Sequence, residues 1–159
     1  MNTLRNLLFS TLAVLVLFTA VGCDSNDDDQ SDAELFIGSW NAVGVSDGTG
    51  DQTAGFASSV SQFRVTFKSN DTYDLSVAFT DERSPIQFSG APYTVTESSN
   101  SINLIIPAAV AGTQLTFPFT YNFENDDRVA LTLGSSALPF LNVLFGTTYV
   151  NPVTVTVAR

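Results

Sequence analysis

The chain has 159 residues, of which 16 are acidic and 6 are basic, so its formal net charge at pH 7 is −10. This charge argues against binding to nucleic acid and against a basic patch for anionic lipid head groups. Because the sequence has no histidine and only one cysteine, nucleophilic catalysis through histidine, histidine metal sites and intrachain disulfides are excluded.

The first 22 residues have the pattern of a signal peptide. Arg5 is followed by an apolar run from Leu7 to Val21, about 15 residues, whereas a membrane-spanning helix needs roughly 20. Ala20-Val21-Gly22-Cys23 then resembles the lipobox of bacterial lipoproteins, which usually has Leu where Ala20 stands. The resemblance implies cleavage before Cys23 and attachment of acyl chains such as palmitate to that residue. The alternative is an ordinary secretory signal.

Residues 24–34 contain six acidic residues and no aromatic residue. Such a segment cannot bury enough apolar surface to fold, so we predict that residues 23–34 are a lipidated cysteine and a disordered acidic linker. An acidic stretch after the cysteine resembles the surface-export signal of Bacteroidetes-type lipoproteins, whereas Asp24 alone resembles the inner-membrane retention signal of enteric bacteria. We therefore expect a cell-envelope protein, at the outer membrane or cell surface rather than the periplasmic face of the inner membrane.

From about residue 36 onward, apolar and polar residues alternate, which predicts β-strands. We expect eight strands, at about 36–45, 60–68, 72–80, 93–96, 102–106, 115–123, 129–133 and 153–157. Short turns (69–71, 98–100, 124–127) alternate along the chain with longer loops (46–59, 81–92, 107–113, 134–151). In an up-and-down meander the short turns share one end, the closed end, and the long loops share the other, the mouth. Residues 35–159 are thus predicted to form an all-β, eight-stranded antiparallel barrel.

A proline within one strand and a short motif at the start of the first strand allow more specific expectations. Pro118 has no N–H, so we expect a bulge or a break in pairing in its strand. Gly38-Ser39-Trp40 matches the Gly-x-Trp signature of lipocalins, and residues 35–159 resemble the lipocalin-like domain of bacterial lipoproteins. The resemblance implies that Trp40 packs across the closed end beneath an arginine from the last strand. Arg159 has the required inward parity, which predicts a cation–π contact with Trp40.

The predicted inner face is aromatic and contains no lysine. Its candidate ligand-lining residues are Trp40, Phe63, Phe67, Tyr73, Phe79, Tyr93, Phe117, Phe119, Tyr121 and Leu131. A buried carboxylate would need a charged or strongly donating anchor, so fatty-acid binding through a salt bridge is not expected. Two alternatives stay open: a neutral apolar ligand steered by a tyrosine hydroxyl, or an interior filled by side chains.

The last long loop is apolar, and its spacing of Leu138, Leu141 and Phe145 predicts a short helix at the mouth. Together with Phe140 and Leu144 these residues could cap the core, cover a ligand or bind an envelope protein. The acidic pair Asp81-Glu82 leaves a carboxylate-dependent hydrolase as the weakest alternative. We expect a non-enzymatic, lipid-anchored envelope protein without metal or cofactor. Its barrel binds a small apolar molecule or, alternatively, serves as a scaffold for a protein partner.

Overall fold

The computed structural model describes residues 30–159. The predicted signal peptide, Cys23 and residues 24–29 of the predicted linker lie outside the described residues, as do the side chains of Val110 and Leu144. Within the described part of the chain, no helix is long and apolar enough to cross a bilayer.

Eight antiparallel strands close into a barrel, as the sequence predicted. In chain order the strands are β1 (Gly38–Asp47), β2 (Gly50–Asp51), β3 (Val60–Phe67), β4 (Thr72–Phe79), β5 (Ile86–Thr96), β6 (Ser101–Ile106), β7 (Leu115–Asn125), β8 (Arg128–Leu133) and β9 (Val153–Ala158). Strand β2 is a two-residue extension that pairs with the end of β1. The other eight pair in chain order, and β9 pairs with β1 to complete the ring.

Four short α-helices among residues 30–159 lie at the two ends of the barrel. They are α1 (Asp32–Phe36), α2 (Thr53–Ser59), α3 (Ala108–Ala111) and α4 (Leu138–Phe145). Helix α1 precedes the first strand at the closed end, whereas the other three lie in the long connections at the mouth. The spacing of apolar residues predicted α4. Helix α2 was not predicted because its sequence, Thr-Ala-Gly-Phe-Ala-Ser-Ser, has one large apolar residue and therefore no apolar stripe.

Helix α1 begins inside the segment assigned to the linker. The Ser31 hydroxyl accepts a hydrogen bond from the Glu34 N–H, and the Glu34 carboxylate accepts one from the Ser31 N–H. This reciprocal capping box satisfies two backbone donors that a short helix would otherwise leave free. The helix ends at Phe36, whose side chain is fully buried. Phe36 was predicted to belong to the first strand, which instead begins at Gly38.

Strand β5 begins at Ile86, within the loop predicted over 81–92. The alternation is broken by an irregularity in which Leu75 pairs with Phe88 but Tyr73 pairs with Ala91. The irregularity contains Gly90, whose φ of 70° is readily adopted only by glycine. Because one extra residue on β5 shifts the inward parity, the first half of the strand could not be recognised from the alternation of apolar and polar residues.

Of the two expectations for Pro118, a bulge is absent, since β7 pairs with β6 through Pro118 opposite Asn103 without a shift in register, but the pairing of β7 with β8 does stop at Phe119. The Pro118 carbonyl accepts a hydrogen bond from the Gly134 N–H, just past the end of β8. The N–H and C=O of one strand residue point to the same side. The nitrogen of Pro118 therefore points toward the β8 side, where the hydrogen bonds between β7 and β8 have already ended. Proline is tolerated there because no N–H is needed.

Candidate functional site

The closed half of the barrel is filled by aromatic rings packed around Phe36. The Phe36 ring centroid lies 5.3 Å from that of Phe67, 5.1 Å from that of Tyr121 and 5.0 Å from that of Phe123. Trp40 is also fully buried there and donates from Nε1 to the Phe36 carbonyl at 2.7 Å. This half of the interior is a core of packed aromatic rings.

Arg159 closes the base of this core. Its guanidinium carbon lies 4.5 Å from the centroid of the Trp40 ring, the contact that the resemblance to lipocalins implied and that strand parity assigned to Arg159. The same guanidinium donates to the carbonyls of Leu35 and Ile37, so the last residue of the chain holds the end of α1 in place. Gly38 stands beside it with a φ of 136°, a conformation that other residues rarely adopt.

The mouth half contains an apolar cavity of about 100 Å³. Five of the ten predicted ligand-lining residues do line it: Phe63, Tyr73, Phe117, Phe119 and Leu131. Four others, Trp40, Phe67, Tyr93 and Tyr121, belong instead to the closed-end core. Phe79 does not line the cavity either, and its ring packs 6.1 Å from that of Phe145. Parity thus identified the inward residues but not their height along the barrel axis.

A lid of two helices covers the cavity. Helix α4 contributes Leu141 and Phe145, both 8% exposed, and helix α2 contributes Phe56. The Phe56 ring lies 6.1 Å from that of Phe145 and 6.3 Å from that of Phe63, so it bridges the two helices and the barrel wall. Leu138 is only partly buried, whereas Val143 is 82% exposed. The mouth loop is therefore largely an inward-facing cap.

Asn142 fastens the segment that follows α4. Its side-chain oxygen accepts from the Thr147 hydroxyl at 2.9 Å and from the Tyr149 N–H at 3.0 Å, and its amide nitrogen donates to the Tyr149 carbonyl at 3.1 Å. These three bonds hold Tyr149 against the mouth, where its side chain joins the cavity lining. The sequence analysis did not select Tyr149, because a loop residue has no strand parity.

Asp47 ties the same segment to the end of β1. One of its carboxylate oxygens accepts from the side chain and N–H of Thr49 and from the Gln52 amide, and the other accepts from the Val150 N–H. The Thr49 hydroxyl and the other donors favour the charged form, which lowers the pKa of Asp47 well below its usual range. Asp47 is thus a fully engaged structural carboxylate rather than a general acid.

The cavity carries no ionised group. Within the part of the chain that the structure describes, its lining residues include no charged side chain. Burial raises the pKa of Tyr73, and burial together with the Asp47 carboxylate raises the pKa of Tyr149, so both phenols keep their protons at neutral pH. Such a site can bind and orient a neutral molecule, but it offers no base or charged group for catalysis.

Outside the cavity, the geometry of the described residues bears on metal binding, and Asp81 of the acidic pair has an ion-pair partner. Across residues 30–159, no group of three or more acidic or other ligating side chains is placed to hold a metal ion. Asp81, half of the acidic pair noted in the sequence, forms a 2.8 Å ion pair with Arg83, and this contact lowers the pKa of Asp81. A carboxyl with a lowered pKa is a poor general acid at neutral pH.

Comparisons with protein-family models and with curated proteins find no match to the chain. The architecture is an eight-stranded antiparallel barrel, and because one fold serves many functions, the function has to be argued from the cavity and its lid.

Proposed function

We propose that this protein is a lipid-anchored, lipocalin-like protein of the bacterial cell envelope whose barrel binds a small apolar molecule. The observation that carries the proposal is the apolar cavity between the aromatic core and the lid. Binding pockets for small molecules are typically concave, mostly apolar and equipped with few polar groups, and this cavity has that character.

The size of the cavity favours a ligand over a merely filled interior. Protein cores contain few voids larger than a water molecule. A void of about 100 Å³ destabilises a fold by about 2.4 kcal/mol at roughly 24 cal/mol per Å³. That is a large fraction of a typical net stability of about 5–15 kcal/mol. A ligand that fills the void would offset this loss.

The anchoring part of the proposal rests on the signal-peptide pattern and on the position of α1. Phe36 is buried in the closed-end core, so the described chain enters the barrel from the side opposite the mouth. A lipid on Cys23 would therefore tether the closed end, and the mouth would face away from the membrane. A ligand would then reach the cavity from the aqueous side, by displacement of the lid.

The second candidate function, a scaffold that binds an envelope protein through the mouth, has less support. It requires exposed apolar side chains on the last long loop. Leu141 and Phe145 are instead 8% exposed and belong to the core beneath the lid. The large apolar side chains that are exposed on this loop, among those described, are Val143 at 82% and Val150 at 49%, and single exposed apolar residues are common on protein surfaces.

Native mass spectrometry of the full protein purified from its source organism, followed by organic extraction, tests ligand binding. We expect a neutral apolar compound in the wild type. The Val155→Phe variant, which places a ring into the cavity lining, should lose that compound. The matched Val43→Phe variant, altered at a residue that is 44% exposed on the neighbouring strand β1, should retain it. An empty wild type, or equal retention in both variants, would contradict the proposal.

The lipid anchor is tested separately. We expect the native protein to begin at Cys23, to carry acyl chains there and to fractionate with membranes. The Cys23→Ser variant should lose the acyl chains and the fractionation with membranes while keeping the barrel, as judged by its circular dichroism. A native protein whose Cys23 carries no acyl group would rule out the anchor and leave the binding proposal intact.

A further inference from the structure

The wall of the cavity beneath the lid offers almost no polar surface. Seventeen residues line the cavity, and 15 of them are valine, leucine, isoleucine or phenylalanine. The other two, Tyr73 and Tyr149, are therefore the only described lining residues whose side chains could form a hydrogen bond with a ligand.

Neither tyrosine hydroxyl is offered to the cavity. Tyr73 is 1% exposed, and its hydroxyl donates to the Ile105 carbonyl at 3.1 Å. The hydroxyl oxygen of Tyr149 is buried, so it too has almost no accessible surface. Steering of a ligand by a tyrosine hydroxyl, which the sequence left open, is therefore not supported.

The backbone of the wall is occupied by strand pairing. Strand β6 pairs with β7 along all six of its residues, and β8 pairs with β9 along all six of its own. In a sheet the N–H and C=O groups point toward the neighbouring strands, whereas the side chains point to the two faces. These strands therefore use their backbone groups to bind each other rather than a ligand.

A polar group that enters such a cavity loses its hydrogen bonds to water and gains none from the wall. Transfer of a hydroxyl or an amide from water to a medium that cannot hydrogen-bond lowers partitioning by roughly 1000-fold or more. Transfer to a medium that still provides partners lowers it by roughly 2-fold to 30-fold. The wall therefore discriminates strongly between molecules that carry a hydrogen-bonding group and molecules that do not.

The volume of the cavity limits its occupant as well. An apolar cavity of about 150 Å³ in another protein stays free of water and binds benzene. The cavity here is smaller, about 100 Å³, so with the lid closed its occupant is no larger than one six-membered ring. Long acyl chains would require the lid formed by α2 and α4 to open.

We infer that the ligand is a hydrocarbon of about one six-membered ring, without any hydrogen-bonding group, and that the cavity selects it by excluding polar molecules. This inference rests on the proposed function, because it specifies the ligand of the same cavity. The ring packs against partly buried lining side chains such as Phe63, Leu104 and Val155. Shape alone would accept a polar ring of the same size, so the selection comes from the cost of removing water from the polar group.

The test uses benzene and pyridine, two rings of nearly the same size that differ by one hydrogen-bonding nitrogen. Each is titrated into the isotope-labelled full chain, at a pH at which pyridine is uncharged, and binding is followed by amide chemical shifts. We expect benzene to shift the signals of the lining residues. Pyridine should bind more than about thirtyfold more weakly, because a loss of that size exceeds what a site with hydrogen-bonding partners would produce.

Val155→Thr adds a hydroxyl to the cavity lining with little change in side-chain volume. The affinity ratio of benzene to pyridine should fall about threefold to tenfold in this variant, the effect of one neutral hydrogen bond. Val43→Thr is the matched control, because Val43 is 44% exposed on β1, and it should keep the wild-type ratio. Comparing ratios cancels the different hydration of the two probes. If Val155→Thr does not fold, the wild-type ratio decides the inference alone.

The ligand-free protein provides a second measurement. A buried water usually makes about three hydrogen bonds to protein groups, and the described wall does not provide them. We therefore expect no magnetisation transfer from water to the methyl groups of Leu131 and Val155, which both line the cavity.

Failure of this inference and failure of the proposed function give different results. If pyridine binds the wild type within about thirtyfold of benzene, if the ratio is the same in Val155→Thr and Val43→Thr, or if water reaches the lining methyl groups, the ligand class is wrong and the cavity remains a binding site. If neither probe shifts the lining residues in any of the three proteins, the cavity does not take small ligands and both proposals fail.

Discussion

Replacing Phe36 with alanine should destabilise the barrel severely, although this residue lies before the first strand. The side chain is 0% exposed and makes ring contacts with Phe67, Tyr121 and Phe123. A Phe-to-Ala change in a core costs about 3–5 kcal/mol through lost burial and the cavity it leaves. Three aromatic partners place the expected value in the upper half of that range, since each such pair contributes about 0.5–1.5 kcal/mol beyond area burial.

The free energy of unfolding is measured by urea titration of the full chain. Trp40 is the one tryptophan in the sequence and lies in the same core, so its fluorescence reports on the closed end. Ile37→Ala is the control, because it removes a large apolar side chain at the next position, which is 39% exposed. We expect the control to cost less than about 1 kcal/mol, with the urea dependence of unfolding unchanged in both variants.

The comparison has a clear negative result. If Phe36→Ala costs no more than Ile37→Ala, then α1 is not part of the cooperative core. The aromatic packing around Phe36 would then contribute nothing to stability, and the argument that the closed half of the barrel is a rigid base for the cavity would be lost.

Three further predictions concern the backbone, the lid and pH. Gly90→Ala should lower the free energy of unfolding by about 1–2 kcal/mol, because the φ of Gly90 is 70°. Gly55→Ala should raise it by about 0.5–1 kcal/mol, because Gly55 lies in α2 and no atom is within 4 Å of the added Cβ. Urea unfolding measures both changes. Asn142→Asp keeps the side-chain acceptor but loses the amide N–H that donates to the Tyr149 carbonyl, in the segment after α4. It should lower the free energy of unfolding by about 1 kcal/mol and speed amide hydrogen exchange in that segment. Hydrogen bonds from Thr49, Val150 and Gln52 hold the pKa of the Asp47 carboxyl below its ordinary value of 3.8. The ionised Asp47 therefore contributes stability above about pH 4, and this contribution is lost as the pH falls through the pKa of Asp47 in the folded state. Asp47→Asn should flatten this acid limb of the curve of unfolding free energy against pH.

The strands and their connectivity could be predicted because they depend on local signals. A strand with one buried face must alternate, and the three short connections carry the Asn, Asp and Ser residues that tight turns favour. Closure follows from eight such strands with one apolar face. The contact between Arg159 and Trp40 was expected from the resemblance to lipocalins, and parity and chain direction supported it by placing both residues inward at the closed end.

The alternation of apolar and polar residues could not predict where an inward residue lies along the barrel axis. Trp40 and Phe67 share the inward parity of Phe117, yet the first two lie in the closed-end core and the third lines the cavity. A signal was available, because Phe67 stands two residues before a short turn whereas Phe117 stands seven residues before one. Counting from the nearest short turn separates these two residues, whereas Tyr73, also two residues from a short turn, is part of the cavity lining.

The residues that distinguish the cavity lie where local patterns are weakest. Phe56 occupies a helix of small residues, and Tyr149 occupies a loop that depends on the side chain of Asn142 for its shape. Neither position shows a periodicity that marks it as inward. Residues in long connections are located by tertiary contacts, so a sequence reading of a barrel describes its wall better than its mouth.

The division between the two ends explains how the fold can tolerate an internal void. At the closed end, Arg159 and the rings around Phe36 link the first helix to the last strand, and the described core is fully packed there. At the mouth, α2 and α4 lie on a second apolar cluster, which surrounds the cavity, and the bonds of Asn142 and Asp47 fasten the segment that follows α4. Stability concentrated at one end permits low local stability at the other, and a lid that must open for a ligand requires such a region.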